Sequence, residues 1–252
     1  MDIAFEHVLI LVGTGLLAGV INTLAGGGSN LTLPALMLMG MPADVANGTN
    51  RVGVVLQSLV ATWGFKRHAK LPVDDIGPVL LPTLIGGALG AIAASFAPTM
   101  LLKPLLLGAM VTMTTIMLFK PEIISPPPVT IPYKMKQRPS AWWWLGLAGF
   151  YGGFVQAGVG FILITALAGT LRYDLVRTNA LKVVCTLAFT SLALVIFVVR
   201  DQVLWLPGLL LACGTMVGAQ IAVQFAISAK ASTLKWFLFV MTVCGSVAAL
   251  IL

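Results

Sequence analysis

Two basic residues sit where an apolar chain seldom carries charge. Arg51 follows Thr49-Asn50, and Lys182 lies just after Thr178-Asn179, each about a turn inside a long apolar stretch. The acidic residues are Asp2, Glu6, Asp44, Asp74, Asp75, Glu122, Asp174 and Asp201. All fall near the ends of such stretches, so neither cation has a deep carboxylate to pair with. An unpaired cation away from water is costly and marks a cavity, a partner or a snorkelling route. Snorkelling is easy for Lys182. The planar fork of Arg51 suits sulfonate or carboxylate oxygens.

The second chemical feature is "AGGGSN" at 25–30. Successive glycines cost a helix about 1 kcal/mol each relative to Ala, and they let backbone approach a ligand closely. Irregular backbone at membrane depth survives only against protein or a watery cavity. A helix starting at Ser29 or Asn30 would aim free N–H groups and a positive dipole end at that break, an arrangement that binds anions. The competing reading is a tight turn between two packed helices. "VQAGVG" at 155–160 is a partial echo, with Gln156, Gly158 and Gly160. Candidate anion contacts are therefore Asn22, Gly26, Gly27, Gly28, Ser29, Asn30, Thr49, Asn50 and Arg51 in the first half. In the second they are Gln156, Gly158, Gly160, Thr178, Asn179 and Lys182. Thr23, Gln57, Thr62 and Gln220 are further polar groups in apolar surroundings; Thr62 is expected to bond within its own helix.

Catalysis and cofactor chemistry find little support. There is no buried carboxylate pair, no histidine cluster and no nucleophile–base pair, and His7 and His68 lie near span ends. Cys185, Cys213 and Cys244 are scattered without CxxC spacing and read as small buried side chains rather than metal ligands. "GTGLLAG" at 13–19 resembles a dinucleotide fingerprint, but that fingerprint needs a strand before it in a soluble unit. Close helix packing through small residues accounts for it, and for the Gly86/Gly90 and Gly214/Gly218 pairs.

What positions these groups is a membrane fold. Hydrophobic residues make up 59% of the 252-residue chain and charged residues 9%, with a mean hydropathy of +1.01. Soluble domains carry about 25% charged residues, so the chain reads as a polytopic all-α integral membrane protein. Asp2 and Glu6 replace the basic start of a secretory signal. Long spans are expected at 45–65, 76–97, 101–119, 178–199, 204–227 and 233–252. Residues 5–40 and 142–170 are each too long for one helix and too broken for two good ones. Each reads as a helical hairpin that meets at its glycine break and leaves on the side where it entered.

Charge orients these spans. Lys66, Arg67, Lys70, Lys120, Lys134, Lys136, Arg138, Arg172, Arg177, Lys230 and Lys235 fall on one side, and only Lys103 and Arg200 on the other. The richer side is cytoplasmic by the positive-inside rule, which puts both termini outside. Topology thus accounts for the net charge of +7 without nucleic acid, and the clusters also suit lipid headgroups. The Pro-rich stretch 121–140 reads as an extended cytoplasmic linker between a first transmembrane repeat, 1–120, and a second, 141–252. "LLAGVINTLAGGG" echoes "GLAGFYGGFVQAGVG", "NGTNRV" echoes "VRTNALKV", and "GGALGA" echoes "CGTMVGA". One half would start outside and the other inside. The expectation is two inverted repeats, each a broken hairpin followed by about three transmembrane helices, which is a recurring transporter design.

The blocks "GLLAGVINTLAGGGSNLTLPALML", "ADVANGTNRV" and "GGALGA" resemble the TauE/SafE family of membrane transporters, over nearly the whole chain. The resemblance implies export of sulfite or organosulfonates across the bacterial inner membrane, with a small sulfur-containing anion as substrate. The second half departs from the pattern: it lacks the Gly-Gly-Gly run and the proline matching Pro34. The reading is a secondary anion carrier without cofactor, metal or nucleic acid, with membrane lipids around it and small-residue faces compatible with a homodimer. An anion channel and a non-transporting membrane assembly protein are the alternatives.

Overall fold

The computed structural model describes residues 5–119, 131–229 and 233. Helices are the only regular elements among them. In chain order they are α1 (Phe5–Leu24), α2 (Ser29–Leu38), α3 (Ala43–Arg67), α4 (Ile76–Phe96) and α5 (Thr99–Phe119). The second half has α6 (Ser140–Phe154), α7 (Val159–Ile164), α8 (Leu175–Val199) and α9 (Trp205–Ser228). A π-helical segment, Thr165–Thr170, extends α7. The span expected at 233–252 lies outside the described residues apart from residue 233. So do Cys244, Lys120, Lys230, Lys235 and the linker up to residue 130.

Among the described residues, four helical stretches, Phe5–Leu24, Val73–Phe96, Leu175–Val199 and Trp205–Ser228, are long and apolar enough to cross a bilayer. The reason is visible on their surfaces. Leu81, Ile85, Leu89, Ile92 and Phe96 recur every three or four residues along α4 and are exposed, a stripe that water would not tolerate and lipid solvates. The 25-residue α3 fails the same apolar test because Asp44, Asn47, Asn50, Arg51 and Gln57 lie along it. It is instead sheathed by protein, packing on α8 and α9.

Both expected hairpins are broken where the glycines fall. α1 ends at Leu24 and α2 begins at Ser29; α6 ends at Phe154 and α7 begins at Val159. Pro34 lies inside α2, where its missing N–H leaves the Asn30 carbonyl without its helical donor. The halves interlock: α1 packs on α9 and α4 on α6. Gly214 and Gly218 seat α9 on the α1 backbone at Val12 and Leu16, while Gly86 and Gly90 seat α4 on the α6 backbone at Gly146 and Phe150. These small-residue faces are spent within the chain and are not free for a second copy.

Two polar clusters mark opposite ends of the bundle. At one, Lys134 Nζ donates to Asp75 at 2.7 Å, the Tyr173 hydroxyl donates to the same carboxylate at 2.7 Å, and Arg138 and Arg172 cover the Tyr133 ring. Residues 131–139 are thus docked: Met135 is buried and the Tyr133 amide donates to Leu171 O at 2.9 Å. At the other end Gln202 Nε2 donates to Asp44 at 3.2 Å and to Ser95 O at 3.3 Å, and Arg200 lies over Phe96. His7, Ile10 and Thr14 of α1 share a groove with Leu38 and Met39, so the first hairpin returns to the level at which it started. Cys185 is buried, but Cys213 is exposed on α9 and corrects the expectation of a buried thiol there. Helix periodicity turns that position outward, away from Ala212 and Gly214.

Candidate functional site: the two helix breaks

The breaks touch. A Cβ at Gly26 would collide with Gly160 Cα, and one at Gly160 with Gly26 Cα. The Gly160 amide donates to Gly26 O at 3.3 Å. Gly26 has φ +91° and Gly158 φ +76°, values that glycine adopts without strain. Gln156 takes φ +70° despite its side chain, and the Tyr151 hydroxyl pins the same turn by donating to Ala157 O at 2.7 Å. Gly27 faces the Phe161 ring, and Gly28 lies on Ala18 and on the Cβ of Asn22.

Arg51 is fully buried and holds the second break, not the first. Its Nη1 donates to Gly152 O and to Gln156 Oε1, both at 2.8 Å. Its Nη2 donates to Gly153 O at 2.7 Å and to Asn47 Oδ1 at 3.2 Å. The Phe197 ring covers the guanidinium at 5.2 Å. The carbonyls at the end of α6 have lost their helical donors, and a cation there satisfies them and opposes the dipole. Four of the five N–H groups are used; Nε has no partner. Arg51, grouped by sequence with the first-half contacts at Gly26–Asn30, thus bonds across to the second break. The fork went to the nearest row of orphan carbonyls, on the other half of the chain.

Lys182 mirrors this arrangement at the first break. It is 1% exposed, so it does not snorkel. Its Nζ donates to Thr23 O at 2.9 Å and to Asn179 Oδ1 at 2.8 Å, which caps the end of α1. No carboxylate pairs with either cation among the described residues.

The remaining candidates divide. Asn50 joins the first break: its Nδ2 donates to Ser29 Oγ at 3.1 Å and its Oδ1 accepts from Thr32 at 2.6 Å. Asn22, Ser29 and Asn30 are buried there, and Asn30 Oδ1 has no partner. Gln156 belongs to the second break, where its Oε1 also accepts from Thr190 at 3.1 Å. Thr49 and Thr178 are drawn elsewhere. Thr49 Oγ1 accepts from the Leu204 amide at 3.0 Å ahead of α9, and Thr178 donates to Tyr173 O at 3.2 Å at the start of α8. Thr62 Oγ1 has no partner, contrary to the expected bond within its helix. Sequence reasoning passed over Asn47, Thr32, Thr190 and Phe161. Asn47 was legible as the residue one helical turn before Arg51; the others lacked a local signal.

Two buried cations without a carboxylate partner among the described residues and an uncapped helix start lie at the breaks. The α2 N-cap, Gly28, makes no side-chain capping bond, and the Gly28 and Ser29 amides find no acceptor among the described residues.

Comparison with known proteins identifies the family. Residues 11–249 match the family model described as "Sulfite exporter TauE/SafE". A "Probable membrane transporter protein" of Haemophilus influenzae is 29% identical over 239 residues, covering 93% of this chain and 90% of that protein. The "Probable membrane transporter protein ORF9" of a Sinorhizobium species is 25% identical over 250 residues, 96% of this chain and 92% of its own. "Probable membrane transporter protein YfcA" of Escherichia coli K12 is 26% identical over 219 residues, 87% and 80% of the two chains. No solved structure matches. By the family match over almost its full length, the chain belongs to the TauE/SafE family and is a membrane transporter, not an enzyme.

Proposed function

We propose that this transporter is a secondary carrier that exports small sulfur-containing anions, such as sulfite or organosulfonates, across the bacterial inner membrane. The anion is held at the helix breaks near the middle of the bundle. The observation that carries the reading is the pair of buried cations, Arg51 and Lys182, with no carboxylate against either. The family description names sulfite, and the donors at the breaks suit any small oxyanion.

Alternating access fits the packing. The polar groups at the breaks are buried, so this state is closed over them and a substrate needs a rearrangement to enter or leave. The exchange of partners, α1 on α9 and α6 on α4, and the mutual contact of Gly26 and Gly160 favour two inverted repeats that rock against each other. The cluster of Lys134, Arg138, Arg172 and Arg177 favours a cytoplasmic position for that end and an outside position for the termini. A potential negative inside drives anion exit at about 2.3 kcal/mol per charge per 100 mV.

The test is a binding screen of sulfite, thiosulfate, sulfoacetate, taurine and sulfate on purified, monodisperse protein. Saturable binding of at least one sulfur oxyanion is expected; no binding across the panel overturns the proposal.

A further inference from the structure

The two breaks are not equivalent, and their unused hydrogen-bond donors tell them apart. At the second break the guanidinium of Arg51 has given both N–H bonds of Nη1 and both of Nη2 to protein acceptors. Its leftover Nε lies on a group covered by the Phe197 ring. The helix that follows, α7, has only six residues before it changes to π geometry, too few to build a useful end charge.

At the first break the count runs the other way. An ammonium has three N–H bonds, and Lys182 gives two, to Thr23 O and Asn179 Oδ1. The two residues that accept them each carry a second polar atom with no partner, Thr23 Oγ1 and Asn179 Nδ2. Both residues are held to one buried ammonium, so a spare ammonium N–H, a hydroxyl and a carboxamide NH2 lie on three neighbouring buried residues. Thr23 and Asn179 are at most 1% exposed. Across the break the ten-residue α2 begins with free amides at Gly28 and Ser29. Asn30 sits in its first turn with Nδ2 lying 3.9 Å from where a Gly27 Cβ would be; its unpartnered Oδ1 is an acceptor and adds no donor. Unpaired buried donors are costly unless something accepts from them. An oxyanion accepts from several at once.

We infer that the transported anion binds at the first break only, on Lys182 Nζ, Asn179 Nδ2 and the Thr23 hydroxyl beside the α2 N-terminus. The Arg51 break is its structural counterpart. The inference rests on the anion-transport reading and narrows it to one asymmetric site for a small oxyanion.

Two substitutions test it, with sulfoacetate titrated into purified protein and thermal unfolding followed in parallel. Asn179→Asp places a carboxylate against Lys182 where the anion would bind. It should weaken sulfoacetate binding at least tenfold while the unfolding temperature holds or rises, because the lysine gains a partner. Binding within threefold of wild type in folded Asn179→Asp protein overturns the site. If that variant does not fold, Thr23→Val decides: it keeps the shape and removes an unpartnered buried hydroxyl. It should raise stability and weaken sulfoacetate binding about fivefold; unchanged affinity overturns the site. A purely structural role does not move affinity and stability in opposite directions. Failure of wild type to bind sulfoacetate, sulfite, thiosulfate, taurine or sulfate removes the anion reading itself; wild-type binding that both variants retain removes only the site.

Discussion

Replacing Arg51 by Met keeps most of the side-chain volume and removes every donor. Four acceptors lose a donor at once: Gly152 O, Gly153 O, Asn47 Oδ1 and Gln156 Oε1, of which Gln156 Oε1 keeps its bond from Thr190. Bonds between helices in a bilayer average about 0.6 kcal/mol and reach about 1.7, so four bracket the loss at about 2–7 kcal/mol. Some is returned because the guanidinium itself is no longer buried. A net loss of about 3 kcal/mol should lower the unfolding midpoint by about 6–12 °C in a chain of this size. Arg51→Lys offers three donors to four acceptors and should fall between. The assay is thermal unfolding of detergent-purified protein, read by intrinsic fluorescence with monodispersity checked first. An Arg51→Met protein that unfolds within about 2 °C of wild type would refute the argument that this side chain ties α3 to the end of α6.

Gly26→Ala should cost about 2–4 kcal/mol, because a Cβ there meets Gly160 backbone at a positive φ; wild-type unfolding behaviour would contradict the contact between the breaks. Gly27→Leu drives a side chain at the Phe161 ring and should abolish transport; normal flux counts against this break as the substrate's place. Cysteines at Lys136 and Asp201, in a Cys213→Ala background, should label from opposite faces, Lys136→Cys from the cytoplasm and Asp201→Cys from outside; labelling of both from one face breaks the topology, and exchange of the two faces inverts it. Burial and then the bond to Asp75 raise the Tyr173 phenol above the ordinary range, whereas Arg138, then Arg172, lower that of Tyr133. The Tyr173–Asp75 bond therefore stabilises the fold below the ordinary tyrosine range and is lost as pH rises through the raised value. In ultraviolet difference titrations Tyr173→Phe should delete a late-titrating component and Tyr133→Phe an early one; the reverse order contradicts the cluster.

The breaks were legible because their cause is local. Three glycines cannot hold a helix between Leu24 and Ser29, and Ser29 was one of two starts expected for the next helix. The burial of Arg51 and Lys182 was half legible: hydropathy placed both inside spans but left open where each side chain turned. The crossing of the two cations, each to the break of the other half, was not legible. It depends on which carbonyls lose their donors once the halves are packed, and no periodicity records that. Thr49 and Thr178 looked alike because they share a Thr-Asn pair, yet each went to a loop or helix start. The neighbouring Asn50 and Asn179 went to the first break, because adjacent residues on a helix point about 100° apart.

The most direct test of the account is counterflow. Purified protein is reconstituted into liposomes preloaded with unlabelled sulfite, with radiolabelled sulfite supplied outside at low concentration. A carrier that alternates around one buried anion site should accumulate label transiently above equilibrium, with uptake that saturates and falls at least severalfold in Asn179→Asp at the same low label concentration. Uptake that only relaxes to equilibrium, with an anion current that grows in proportion to voltage, would contradict the carrier, and no protein-dependent flux would contradict the proposed substrate.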